Sequence, residues 1–241
     1  MKVTLKEFSR HVLHKAGALE PLRKMRHGKI RRGEGATLQE RFVDIYDSGV
    51  WQTSPDTPLS GAGSAPAVAE RLGAQLPSLV AELGATSFAD VGCGDFVWMK
   101  DVDLGCPYLG LDIVPSVIAA NQSRFGSDVR SFALCNAVSD PLPTAEIVLC
   151  REILFHLSFA DARALLANVV RSKARWLLAT TDPMTGFNAD IESGDFRVIN
   201  LCAAPFGFPE ANRQLMDDAL VPGRYVGVWD ISRLPQWTRG A

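Results

Sequence analysis

No stretch of the 241-residue sequence approaches 18 uninterrupted apolar residues, the length a helix needs to cross a bilayer. No membrane span is therefore expected. The opening run MKVTLKEFSRHVLHK lacks the apolar core of a secretion signal, and Glu7 and Glu20 argue against a transit peptide. Cysteine is scarce: Cys93, Cys106, Cys135, Cys150 and Cys202 are five in number and widely spaced. That pattern speaks against a disulfide framework and a zinc site, and no residue is assigned to a metal. The thiols read as small core residues in a reducing compartment, which points to the cytoplasm. Net charge is only −2, and the sequence holds no Asn-Pro-Pro-Tyr-like tetrad for gripping an extruded base. No specific nucleic-acid partner is expected. Internal repeats and low-complexity segments are absent, and nothing specifies an oligomeric state.

What is present suits a globular protein: 47% of residues are hydrophobic and 22% charged. Charge is unevenly placed. Residues 1–35 carry ten Lys/Arg against three Glu, which leaves 15 basic and 24 acidic residues for the rest. Residues 1–58 are read as a helical and basic N-terminal extension with a linker, and 59–241 as the main domain. Within the extension, 3–25 has a loose apolar stripe expected to form one or two helices, and Gly28–Gly35 is a basic linker. Residues 50–64, rich in Pro, Ser and Gly, are expected to be a loop.

From Ser64 a regular alternation begins. Ser64 is a candidate cap for a helix with Pro66 in its first turn, Gly84 at its end and Pro77 as a kink or break. Strands are expected at 87–91, 108–113, 131–135, 146–150 and 176–181. Helices are expected at 115–125 and 159–172, the second capped by Ser158 with Asp161 three residues on. Strands alternating with helices imply parallel βαβ units. The runs 196–201 and 224–231 are read as the antiparallel end. The expected fold class is α/β: a Rossmann-like, doubly wound, mostly parallel sheet with helices on both faces and an antiparallel end, preceded by a helical extension.

The most informative segment is Phe88-Ala-Asp-Val-Gly-Cys-Gly-Asp-Phe-Val-Trp-Met-Lys100, an apolar strand entering a Gly-x-Gly turn. In a doubly wound sheet the end of that strand borders the ligand crevice. Gly92 and Gly94 allow a tight turn and close approach of a ligand to bare backbone. Asp112, at the end of the next strand and followed by Ile113, is placed to accept both hydroxyls of an adenosine ribose. A dinucleotide fingerprint would need a third glycine where Val97 stands, and Asp95 would repel a pyrophosphate. A cationic sulfonium with an ammonium group suits this acidic loop better.

These residues resemble the class I S-adenosylmethionine-dependent methyltransferases. Asp90-Val-Gly-Cys-Gly-Asp95 is similar to the family's first motif and Leu111-Asp112 to its second, within a match over about residues 60–235. The resemblance implies S-adenosyl-L-methionine as cofactor, with Gly92 and Gly94 facing its methionine part, Asp112 its ribose and Asn136 its adenine amine. It implies a cofactor-binding set of Asp90, Gly92, Cys93, Gly94, Asp112, Ile113, Asn136, Ala137 and Arg151. Trp51, Ser60-Gly-Ala-Gly-Ser64, Asp95-Phe-Val-Trp98, Leu149 through Ser158, Asn188 through Gly194, Asn200-Leu201, Pro205-Phe206 and Pro209 resemble a poorly characterised subgroup of small-molecule or sugar methyltransferases. Ala204 and Ala211 depart from that subgroup, where prolines are expected.

Methyl transfer is an in-line displacement, so the protein must chiefly align donor and acceptor and exclude water. For a hydroxyl acceptor a general base helps. His156 is the first candidate and Glu152 the second; each also has a structural reading, as a core histidine and as a surface ion pair. Arg151 is a candidate grip for a carboxylate or phosphate. Trp51 and Trp98 offer faces to a cation or pack in a core. Asp182, Asn188 and Asp190 form either a magnesium site or a plain loop. Phe206, Phe208 and Asn200 are read as acceptor-pocket walls or as a packed connection. The expected activity is O-methylation of a small-molecule or sugar-like acceptor. The alternatives are a non-catalytic methyltransferase-like subunit and a nucleotide-cofactor oxidoreductase.

Overall fold

Strands buried on both faces are apolar throughout, and helices that cover them are apolar along one stripe. Both patterns organise the fold in the computed structural model, which describes residues 36–239 and, before them, Ser9, Val12, Leu13 and residues 16–18. Apart from those few positions, the helices expected over 3–25 and the linker Gly28–Gly35 lie outside the described residues.

Within the continuously described residues 36–239 the α-helices are α1 (Leu38–Asp47), α2 (Pro66–Leu83), α3 (Pro115–Phe125) and α4 (Phe159–Arg171). The strands are β1 (Phe88–Val91), β2 (Tyr108–Asp112), β3 (Arg130–Leu134), β4 (Ile147–Cys150), β5 (Trp176–Thr181), β6 (Arg213–Met216) and β7 (Tyr225–Asp230). They form a seven-stranded sheet in the order β3-β2-β1-β4-β5-β7-β6. The first five strands are parallel, and β7 runs antiparallel to both β5 and β6. Strand order reverses between β1 and β4, which opens a crevice at their carboxyl ends.

Side chains alternate across the sheet. Ala89, Val91, Val148, Cys150, Leu177 and Ala179 pack in one cluster with α1 and α4, while Phe88, Ile147, Leu149 and Leu178 pack in the other with α2. Helix α1 begins with a capping box in which the Thr37 hydroxyl accepts from Glu40 N and the Glu40 carboxylate accepts from Thr37 N. Its Phe42, Ile45 and Tyr46 enter the first cluster. Gln39 Nε2 donates to the Ile113 carbonyl at 3.0 Å, and Arg41 pairs with Glu192.

Several local expectations change. Ser64 is not the cap of α2: it ends a 3-10 turn, Ala62–Ser64, and the N-cap is Ala65. Pro77 does not split α2, which continues through it to Gly84 in the left-handed conformation that glycine tolerates. Ser158 caps α4 by accepting from Asp161 N, but Asp161 does not reach back to the cap as in a closed capping box. Instead Ser193 bridges them, accepting from Ser158 N and donating to the Asp161 carboxylate. The run 196–201 is not a strand; Ile199 and Leu201 are apolar because they pack into the core from a loop. The strand missing from the sequence reading is β6, an edge strand with only Leu215 buried. Its outer edge is occupied by Gln75, which accepts from Met216 N at 3.1 Å and donates to the Met216 carbonyl at 3.2 Å.

Candidate active site

The residues expected to bind the cofactor or act as base line one cavity: Asp90, Gly92, Cys93, Gly94, Asp112, Ile113, Asn136, Ala137, Arg151, Glu152 and His156. The space amounts to about 870 Å³, part of it open to solvent. Helix α1 and the following loop add a wall that the sequence reading did not foresee: Leu38, Phe42, Tyr46, Ser60 and Ser64. The sequence signal for this wall was the pattern Thr37-Leu-Gln-Glu40 ahead of an amphipathic run.

The glycine turn is held from several sides. Asp112 accepts from Gly94 N and from Val114 N, each at 3.0 Å, so the carboxylate ties the turn after β1 to the turn after β2. Gly92 and Gly94 have φ of 74° and 56°, a region that side chains other than glycine resist. A Cβ on Gly92 would come within 2.8 Å of Ile153, and one on Gly94 within 2.9 Å of Ser60. Close packing within the protein thus demands these glycines already, beyond any ligand. Asp95 accepts from Ser60 Oγ at 2.7 Å and so anchors the loop after α1 to this turn. Burial pushes the Asp112 carboxyl above its ordinary range, opposed by the two N–H donors. Asp90 accepts from the Tyr108 hydroxyl at 2.8 Å. Burial pushes its carboxyl up to about 7, although the Tyr108 bond and Arg151 oppose the shift. Asn136 uses its side-chain carbonyl to accept from Val138 N at 3.1 Å, which fixes the amide at the cavity wall after β3.

Arg151 and Glu152 belong to a buried ion cluster, where the sequence suggested a surface pair. Arg151 grips Asp217 through two hydrogen bonds, Nε to Oδ2 at 3.0 Å and Nη2 to Oδ1 at 2.9 Å. Its Nη2 also donates to the Gly63 carbonyl, and its guanidinium lies 4.8 Å over the Trp98 ring. Arg224 pairs with Glu152 at 2.7 Å and lies 3.8 Å from Asp217. Glu152 sits at φ 56°, and its carboxylate occupies the position a Cβ on Gly63 would take. Asp217 and Arg224 had no signal in the sequence, because they follow β6 and precede β7, far along the chain from Arg151.

His156 lines the same cavity from a 3-10 turn after β4. Its Nδ1 lies 2.9 Å from the Asp195 carbonyl oxygen. A carbonyl can only accept, so Nδ1 carries the proton and neutral Nε2 carries the lone pair. Trp51 lies over the ring at 4.5 Å, with Phe155 at 4.7 Å. Burial among these groups, with Arg197 adding to it, pushes the imidazole down to about 4, against the Asp195 hydrogen bond. Trp51 and Trp98 both line the cavity.

Other candidates lie elsewhere. Phe206 and Phe208 are buried against Trp237 and Trp229 and do not wall the cavity. Asn200 and Asn188 clamp their own loop: Asn188 Oδ1 accepts from Asn200 N, and Asn200 Nδ2 donates to the Thr185 carbonyl. Asp182 accepts from Met184 N and Asp190 from Phe159 N. No grouping of His, Cys, Asp and Glu close enough to hold a metal occurs among the described residues, nor is any described helix long and apolar enough to cross a membrane.

No protein-family model matches the sequence, and no curated protein matches it. Solved structures do resemble the fold. Human N-acetylserotonin methyltransferase in complex with SAM superposes with a TM-score of 0.57 at 15% identity, over 82% of this chain and 60% of the other. This chain thus spans about three-fifths of that enzyme's length. The methyltransferase domain of bacterial CtHen1-CN superposes with a TM-score of 0.51 at 13% identity, over 68% of this chain and 99% of the other. The sheet order, the crevice after β1 and β4 and these two likenesses agree: the chain has the fold of the class I S-adenosylmethionine-dependent methyltransferases.

Proposed function

We propose that this chain is an S-adenosylmethionine-dependent methyltransferase that methylates an oxygen on a small-molecule or sugar-like acceptor. The reading is carried by the convergence, in a single cavity, of an acidic glycine turn and a histidine with a free ring nitrogen. The donor set fits this cofactor. Asp112 spends one lone pair of each oxygen on backbone N–H groups, which leaves acceptor capacity for ribose hydroxyls. Asp112 and, where ionised, Asp90 put negative charge on the cavity lining, suited to a ligand with ammonium and sulfonium charges. Asn136 and Ala137 line the cavity after β3, where the adenine is expected.

When bound, S-adenosylmethionine supplies a methyl carbon already activated by its sulfonium. What remains for the protein is to orient, exclude water and take a proton. Trp51, Phe42 and Leu38 line the cavity with apolar surface that would help exclude water once the cofactor fills it. His156 holds its Nε2 lone pair ready for the acceptor hydroxyl's proton, and its Nδ1–H bond to the Asp195 carbonyl fixes the tautomer. Arg151 is committed to Asp217, so its role is to shape the mouth and not to grip an anion. Glu152, paired with Arg224, is a less ready base than His156.

Calorimetric titration with S-adenosylmethionine and with NAD tests the cofactor reading. Binding of the first alone is expected; binding of NAD alone would overturn it. Labelled cofactor incubated with a cell extract, followed by mass detection of the product, then tests the acceptor class. A labelled nucleic acid or protein in place of a small molecule would overturn that part.

A further inference from the structure

Tyr46 was not among the residues the sequence singled out, yet its environment is unusual. It sits on α1, is only 8% exposed and lines the cavity. Its hydroxyl oxygen lies 3.4 Å from where a Cβ on Gly94 would be, beside the turn that Asp112 holds. Trp51 braces its ring edge-on at 5.8 Å, so the phenol has little freedom to turn away. Its hydroxyl makes no hydrogen bond to any described residue and is not sealed in the core like the buried unpartnered atoms, so it opens onto the cavity. Burial, with Asp112 and Asp95 nearby, holds it well above the ordinary tyrosine range. It is therefore a permanent donor near neutral pH.

We propose that Tyr46 is a cofactor-positioning residue whose hydroxyl donates a hydrogen bond to the carboxylate at the amino-acid end of S-adenosylmethionine. This rests on the cofactor reading above. The carboxylate is the strongest acceptor that the ligand offers a neutral donor, and the glycine turn beside Tyr46 is where the methionine part is expected. Ribose hydroxyls are better served by Asp112, an acceptor. The proposal makes the extension before β1 a working part of the site, because α1 is tied down by Gln39 to the turn after β2 and by Arg41 to Glu192.

The test compares wild type and Tyr46→Phe by calorimetry with two probes, S-adenosylhomocysteine and 5′-methylthioadenosine. The second carries the same nucleoside thioether but no amino-acid end. Losing a hydrogen bond to a charged group should weaken S-adenosylhomocysteine at least about ten-fold and leave 5′-methylthioadenosine unchanged. The melting temperature without ligand should not fall, because no bond within the protein is lost. An equal loss for both probes would move the hydroxyl to the nucleoside, and no loss for either would remove it from the site; both overturn the proposal. Failure of the wild type to bind either probe would instead overturn the cofactor reading on which it rests.

Discussion

Replacing Asp217 by alanine should be among the most damaging single changes to this protein outside its apolar core. The side chains of Arg151 and Asp217 are 3% and 0% exposed, and two hydrogen bonds join them. Arg224 and Glu152 complete a group of two cations and two anions. Removing Asp217 leaves two guanidinium groups to share one carboxylate, with Arg151 buried against Trp98 and the Gly63 carbonyl. Breaking a buried pair in this way typically costs about 3–5 kcal/mol, against a total stability on the order of 5–15 kcal/mol. Urea denaturation followed by far-UV circular dichroism measures the loss, read as a lower midpoint at unchanged slope. Two further outcomes bear on the reasoning. The double change Arg151→Met with Asp217→Leu should recover much of the stability, since a matched apolar pair removes the orphaned charge. A loss under about 1 kcal/mol for Asp217→Ala, the range of an exposed pair, would refute the view that this cluster is dry and mutually dependent.

Other changes probe the cavity directly. Asp112→Ala should weaken S-adenosylmethionine by roughly ten- to a hundred-fold, and calorimetry on the folded variant checks it. Gly63→Ala places a methyl where the Glu152 carboxylate lies. It should cost about 1–3 kcal/mol by forcing that side chain off Arg224, and an unchanged melting curve would show that Glu152 is free to swing aside. His156→Ala should lower turnover about 10²–10⁴-fold with cofactor affinity nearly intact. The wild-type rate should hold on acidification until the pH nears 4, where the ring takes a proton, and a fall already at pH 6–7 would contradict the burial of this ring. The same shift has a stability sign. The folded value lies below the unfolded value of 6.5, so the unfolded chain binds the proton first. Stability is therefore full above that value and declines as pH falls toward 4, and His156→Ala should flatten this part of the decline.

The sequence disclosed the parts of the fold that local chemistry controls. Apolar runs of strand length, the glycine turn at Gly92 and Gly94, and the helix from Pro115 to Gly126 all rest on short-range rules. So did the gathering of Asp90, Asp112, Asn136 and His156, since each ends or follows a parallel strand and topology brings such ends to one crevice. Features set by distant partners stayed hidden. β6 has one buried residue, Leu215, and too little pattern to mark a strand. Residues 196–201 showed strand-like apolar content, but Ile199 and Leu201 are buried by a loop that Asn188 and Asn200 clamp. Nothing near Asp217 announces that it neutralises Arg151, 66 residues earlier. Tyr46 carries no motif, and only its packing against the glycine turn gives it meaning.

The placement of β7 has a consequence for how the chain is made. β7 pairs with β5 on one side and β6 on the other, yet it follows both in sequence. While a ribosome is still adding residues 182–224, the far edge of β5 presents unpaired N–H and C=O groups, and β6 has no neighbour to join. An open, apolar edge of this kind invites pairing with another nascent chain. The sheet closes only when Tyr225–Asp230 have left the exit tunnel and slipped between two strands already made. Slowing synthesis just before that segment should therefore raise aggregation of the newborn protein, even though the finished molecule shows no such edge on β5.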